Sequence, residues 1–147
     1  MDHLKAILQE RGIHYEIIHH EKQIRTAQEG ADYLGIELGQ TAPTLVLKSE
    51  KGYVAMIVSG NRGRLDLEEI SSSLGCSQLK IATPKEVQQI TGYTVGNVSL
   101  ALSLPCIVDR RLLQYPFVYG GTGEPGSTLK IAPTDLEKLN QVVAFWD

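Results

Sequence analysis

A chain of 147 residues, 42% hydrophobic and 21% charged, is long enough to bury roughly two-thirds of its unfolded surface around one core, but would leave two domains marginal. No apolar run reaches the length of a membrane span, which excludes a helical membrane protein. The net charge of -3 excludes a protein that holds duplex DNA by phosphate neutralisation alone, while leaving recognition of a single nucleotide end open. One α/β domain over residues 1–147 is expected.

In chain order, the first element is a helix from about Asp2 to Arg11 that buries Leu4, Ile7 and Leu8 and stops at Gly12. The start shows no basic, apolar and small-residue export pattern, so an intracellular, cytoplasmic protein is expected. A β-rich run follows at Tyr15 to His19. Four Ser/Thr/Asp residues are each followed three places later by Glu: Thr26 with Glu29, Asp66 with Glu69, Thr83 with Glu86 and Thr134 with Glu137. Such pairs satisfy the orphan amide donors of a helix start, and Gly35, Gly75 and Gly92 supply left-handed stops. Between the helices lie strand candidates at Thr44 to Leu47, Tyr53 to Ser59, Gln78 to Ala82, Cys106 to Asp109, Phe117 to Gly120, Thr128 to Ile131 and Val142 to Phe145. The turn from Lys48 to Gly52 makes an antiparallel hairpin, whereas helices between other strands favour parallel crossovers. A mixed, mostly β core with flanking helices results.

His14, His19 and His20 cluster with Glu16 and Glu21, but alternation along a strand sends them to opposite faces, so no metal site is expected. His20 ends the strand, where binding residues collect. Cys76 and Cys106 form no C-x-x-C pair and read as free thiols. There is no G-x-S-x-G element, and the glycine-rich run Gly120 to Ser127 lacks the Lys-Ser/Thr and helix start of a phosphate loop. It reads as a hairpin turn or a pocket wall. The run Thr91 to Ser99 is more informative, because Gly96 and Asn97 lie outside any helical period and tolerate positive φ. A loop of that kind offers backbone N–H groups to a carbonyl or developing oxyanion, or serves as an ordinary connection.

The residues Thr26-Ala27-Gln28-Glu29 leading to Leu34-Gly35, then Thr44-Leu45-Val46, Arg64-Leu65-Asp66-Leu67 and above all Thr91-Gly92-Tyr93-Thr94-Val95-Gly96 occur in a specific order. With Val98-Ser99, the glycine turn and Ile131-Ala132-Pro133, the chain resembles over nearly its whole length the YbaK/ProX family. These are free-standing bacterial relatives of the editing domain inserted in prolyl-tRNA synthetases. The resemblance implies a barrel-like mixed sheet with flanking helices and trans-editing, the hydrolysis of the ester joining a wrong amino acid to tRNA. It also implies a pocket that reads the aminoacyl group by size and backbone contacts, with the terminal adenosine hydroxyl assisting the attacking water and no cofactor.

Two positions depart from the family pattern. The lysine that precedes the Thr-Leu pair is Pro43 here, and the proline of the Gly-x-x-x-Pro loop is Leu100. Lys48 is a weak substitute, since it lies five residues on, about 16 Å away and on the opposite face. Two readings stand: a deacylase with altered specificity, or a non-catalytic module that senses an aminoacyl group or docks on tRNA or a synthetase. The candidate substrate-binding residues are His20, Thr44, Gly96, Asn97, Val98, Ser99, Thr122 and Gly123. Arg62 and Arg64, with Arg110 and Arg111 in second place, are the candidate contacts to the acceptor end of tRNA.

Overall fold

In the computed structural model, which describes residues 1–147, three of the four expected caps start helices. Thr26 accepts the Glu29 amide and opens α2 (Ala27–Leu34), Asp66 accepts the amides of Glu68 and Glu69 and opens α3 (Leu67–Leu74), and Thr83 forms a reciprocal box with Glu86 at α4 (Pro84–Thr91). Gly35, Gly75 and Gly92 end these helices in the left-handed region, as their missing Cβ permits. The N-terminal helix α1 covers Asp2–Glu10 and buries Leu4 and Leu8, one turn apart. The fourth cap is a correction. Thr134 lies inside a 3-10 turn (Pro133–Asp135), and the helix after it, α5, is only Leu136–Leu139 with no side-chain cap.

The strands are β1 (Tyr15–His19), β2 (Thr44–Ser49), β3 (Gly52–Ile57), β4 (Lys80–Ile81), β5 (Pro105–Asp109), β6 (Val118–Gly120), β7 (Ser127–Ile131) and β8 (Gln141–Trp146). The expected strand at Gln78 to Ala82 shrinks to two residues, because Gln78 sits at φ +56° and breaks the extended run. Five strands form a mixed sheet in the order β4-β2-β3-β5-β8, with β2-β3 an antiparallel hairpin and β3-β5-β8 parallel. A second, antiparallel sheet has the order β1-β7-β6.

Alternation along β3 and β5 assigns the two faces of the larger sheet. Ala55, Ile57, Cys106 and Val108 pack into the space between the sheets, with Leu129 and Ile131 of β7 and with Leu4, Leu8, Leu136 and Leu139 of α1 and α5. Met56 and Ile107 point the other way, with Leu47 of β2, and are covered by Ile70 of α3. Val46 meets Val87 of α4 and Val98. The barrel-like core expected from the sequence does not close into a barrel. Helical side chains help fill the gap, and the backbones of the two sheets are linked at an isolated parallel bridge between Thr41 and Tyr119, where the Ala42 amide donates to the Tyr119 carbonyl at 2.7 Å.

Candidate functional site

Beside that bridge lies a cavity of about 280 Å³. Its walls come from the stretch before and into α2 (His20, Arg25, Thr26, Gly30), the entry to β2 (Ala42, Pro43, Thr44), the loop Val95 to Val98, and both ends of the β6-β7 connection (Tyr119 to Gly121, Gly126 to Thr128).

The loop owes its shape to one turn. Asn97 donates its amide to the Thr94 carbonyl at 3.0 Å and its side-chain NH₂ to Thr94 Oγ1 at 2.9 Å, while Gly96 takes φ +91°, a conformation that favours glycine. Val95 at the tip is 58% exposed at the cavity lip. In this loop the backbone amides of Val95, Gly96 and Val98 donate to no group of the protein, which leaves three donors on cavity-lining residues.

The opposite wall is fitted to this loop. Leu100 donates its amide to the Gly121 carbonyl at 3.0 Å, and a Cβ on Gly121 would strike the Val98 carbonyl. A Cβ on Gly120 would come within 2.6 Å of the Leu100 side chain. Glycine at these positions serves close approach. Leu100, at the family's proline position, is fully buried and makes an amide hydrogen bond that proline lacks the N–H to make.

Thr44 carries the single buried side-chain polar atom with no hydrogen-bond partner, its Oγ1. Pro43 beside it lines the cavity with a ring that has no donor, while its carbonyl accepts the Val58 amide at 3.0 Å. No lysine lines the cavity. His20 is pinned at both ring nitrogens: Nδ1 donates to the Lys22 carbonyl at 2.7 Å, and Nε2 shares a hydrogen bond of 3.2 Å with the Thr128 hydroxyl. The Tyr33 ring stands edge-on to it at 5.5 Å.

Of the sequence-derived site residues, His20, Thr44, Gly96, Asn97 and Val98 meet at this cavity, and Ser99, Thr122 and Gly123 do not line it. Ser99 is buried and turns its hydroxyl to the Ala101 amide at 3.1 Å. Thr122 braces its own loop by accepting the Glu124 amide and sharing a 2.7 Å hydrogen bond with Ser127 Oγ. Gly123 presses on the Tyr93 ring.

Lys48 is committed elsewhere, donating to Glu86 of α4 at 2.7 Å. That bond, the Thr83 amide and the Tyr53 hydroxyl hold the Glu86 carboxyl down at about 2. Arg62 is committed too: its guanidinium forms a two-pronged pair with the fully buried Asp109, at 2.7 and 2.8 Å. Arg64 is exposed in a shallow open groove with Leu45, Val58 and Ile81. Arg110 pairs with Asp147 and Arg111 reaches Asn61. His14 and His19 are exposed, and no three potential metal ligands gather anywhere in the chain.

Among the cavity residues that escaped sequence reasoning, Arg25 and Tyr119 bear on binding. Arg25, in no ion pair, stands at the cavity because it immediately precedes the α2 cap, a position the cap itself signals. Tyr119 arrives only through the bridge between sheets, which no local pattern announces.

The model of the aminoacyl-tRNA editing domain matches residues 21–139. The chain is 33% identical over 105 residues to a proline--tRNA ligase of Thermosipho melanesiensis, covering 69% of this chain and 18% of the ligase. It thus spans less than a fifth of that relative. It is 28% identical over 118 residues to EbsC of Enterococcus faecalis, a candidate Cys-tRNA(Pro)/Cys-tRNA(Cys) deacylase, covering 78% of this chain and 71% of EbsC. The crystal structure of a candidate trans-editing enzyme for prolyl tRNA synthetase superposes with a TM-score of 0.86 at 33% identity, covering 97% of this chain and 92% of that one.

Proposed function

This chain belongs to the aminoacyl-tRNA editing domain family, and we propose that it is a deacylase that hydrolyses the ester of a mischarged aminoacyl-tRNA. The observation that carries this reading is the unengaged amides of the 95–98 loop, Gly96 and Val98 among them, on the cavity wall near Pro43, which stands at the position of the family's lysine.

The ester carbonyl accepts from these amides, which meet the negative charge that grows on its oxygen as water attacks the carbonyl carbon. The hydroxyl next to the ester on the terminal ribose orients that water. The bond from carbonyl carbon to ribose oxygen breaks, the ribose oxygen takes the water's proton, and free amino acid leaves with an intact tRNA end. Arg25, at the mouth, suits the phosphate of the terminal nucleotide. Thr44, on the cavity wall, has a buried Oγ1 without a partner, and a side-chain rotation would turn it to the aminoacyl group. His20 holds Thr128 and so the wall opposite α2.

Pro43 on the wall, and Leu100 packed behind Gly120 and Gly121, replace the family's lysine and proline, so the preferred acyl group differs from that of lysine-bearing members. In an editing pocket the wall admits a small side chain and excludes a large one by collision, and the residues around Pro43 and the 95–98 loop supply that wall here. The substrate is made in the cytoplasm, which is where the protein acts, alone or beside a synthetase.

The test is a panel of mischarged tRNAs, with loss of the ester followed over time. Acceleration over buffer on at least one is expected. Binding without acceleration on any of them assigns the cavity to a non-catalytic sensor instead.

A further inference from the structure

The outer face of the smaller sheet carries a group of side chains that the core does not use. Val118 of β6 and Leu129 and Ile131 of β7 point inward and are fully buried, so Phe117, Tyr119 and Lys130 point outward. Tyr119 faces Lys130 across the ladder. The Lys130 ammonium lies 4.4 Å from the centre of the Phe117 ring and 6.0 Å from that of Tyr119. Glu16 of β1 stands directly opposite Lys130 on the other side, yet the two make no ion pair. The cation therefore sits on ring faces and keeps donors free for an anion.

Phe117 is 43% exposed although it is one of only two phenylalanines in the chain, and its backbone, not its ring, is tied down, through the Gln40 side chain at 3.2 Å. Tyr119 belongs both to this surface and to the cavity wall. The surface thus adjoins the cavity, within reach of a chain that extends from the cavity's occupant.

Two aromatic rings with one free cation beside them are the elements that bind single-stranded nucleic acid: bases stack on the rings and a phosphate meets the charge. A face of this composition on a chain of net charge -3 suits few phosphates and a short segment. Resting on the ester-hydrolysis reading above, we infer that Tyr119, Lys130 and Phe117 form a platform for the unpaired 3′ nucleotides that precede the terminal adenosine of tRNA. Bases stack on the two rings and Lys130 meets a phosphate between them.

The test uses the full chain and an unacylated RNA minihelix with an unpaired 3′ CCA end, labelled at its 5′ end, read by fluorescence anisotropy. Phe117→Leu keeps apolar bulk and removes the ring face, and should weaken binding about tenfold, whereas Phe117→Trp should retain it. Lys130→Gln should lower the slope of log affinity against log salt by about 0.7, the share of one single-strand phosphate. A minihelix with a blunt end should bind much more weakly than the tailed one.

Equal affinity of the wild type and Phe117→Leu, equal affinity for blunt and tailed RNA, or no binding of the tailed RNA overturns the platform. Because the probe carries no ester, the readout is separate from hydrolysis. Ring-dependent binding without cleavage of any mischarged tRNA retains the platform and sinks the deacylase. Cleavage with ring-independent binding does the reverse.

Discussion

Gly121 approaches the carbonyl of Val98 so closely that a single Cβ would collide with it, and the same glycine's own carbonyl accepts the amide of Leu100 at 3.0 Å. One residue therefore joins both glycine-rich loops by its lack of a side chain and by its backbone. Gly121→Ala should cost about 1–3 kcal/mol, the usual penalty of overpacking, measured by urea unfolding. A cost near zero would mean that the loops part readily and that their contact does not shape the cavity.

Thr44→Val exchanges the unpartnered hydroxyl for a methyl group of similar shape. The variant should be more stable by about 1 kcal/mol, because a buried polar atom without a partner is removed, and slower in deacylation. A variant that is both less stable and fully active would show that the hydroxyl has a partner in solution and no part in binding.

Pro43→Lys places a cation at the cavity wall, and the Pro43 carbonyl keeps its bond from the Val58 amide because only the side chain and ring nitrogen change. Deacylation should rise about tenfold or more, as a charge is brought to the developing oxyanion. Single-turnover decay of a mischarged tRNA measures this, and unchanged decay would move the ester away from Pro43.

The Arg62–Asp109 pair should contribute to the acid limb of stability. Burial pushes the Asp109 carboxyl up, but the Arg62 guanidinium and the amides of Ser59 and Arg111 outweigh it and hold the group below its ordinary 3.8. A carboxyl depressed on folding stabilises the fold above its unfolded value and loses that contribution as pH falls through the folded one. Wild-type stability should therefore drop below about pH 4, with a smaller drop in Asp109→Asn. Arg62→Ala, which strands a fully buried carboxylate, should cost about 3–5 kcal/mol at neutral pH.

Burial pushes the Cys106 thiol up to about 12, so it carries no thiolate at neutral pH, whereas Cys76 is half-buried. One alkylation should be seen by mass spectrometry in the native protein and two after unfolding. Native double labelling would indicate that β5 opens.

What the sequence disclosed follows from how local each signal is. Thr26, Asp66 and Thr83 were legible as caps because the acceptor and its donor lie within three residues. Thr134 carried the same signature but lies in a 3-10 turn before a helix of four residues. The failure of the barrel to close depends on β1 pairing with β7 and on helical side chains between the sheets, contacts more than a hundred residues apart in sequence. The Gly96 turn was legible because glycine and asparagine mark positive φ locally. Arg62 was misleading as a tRNA contact because its partner, Asp109, lies 47 residues away. Tyr119 was invisible for the same reason.

The position of the cavity at a seam has an evolutionary consequence. The donors it would offer an acyl carbonyl are main chain, while His20, Arg25, Pro43 and Val95 at its lips lie outside the apolar interior. Drift at those lips alters which acyl group fits without unseating the scaffold. Selection can thus retune the substrate of such a protein one residue at a time, each intermediate still folding, and that is the freedom a family needs to police several mispairings with one architecture.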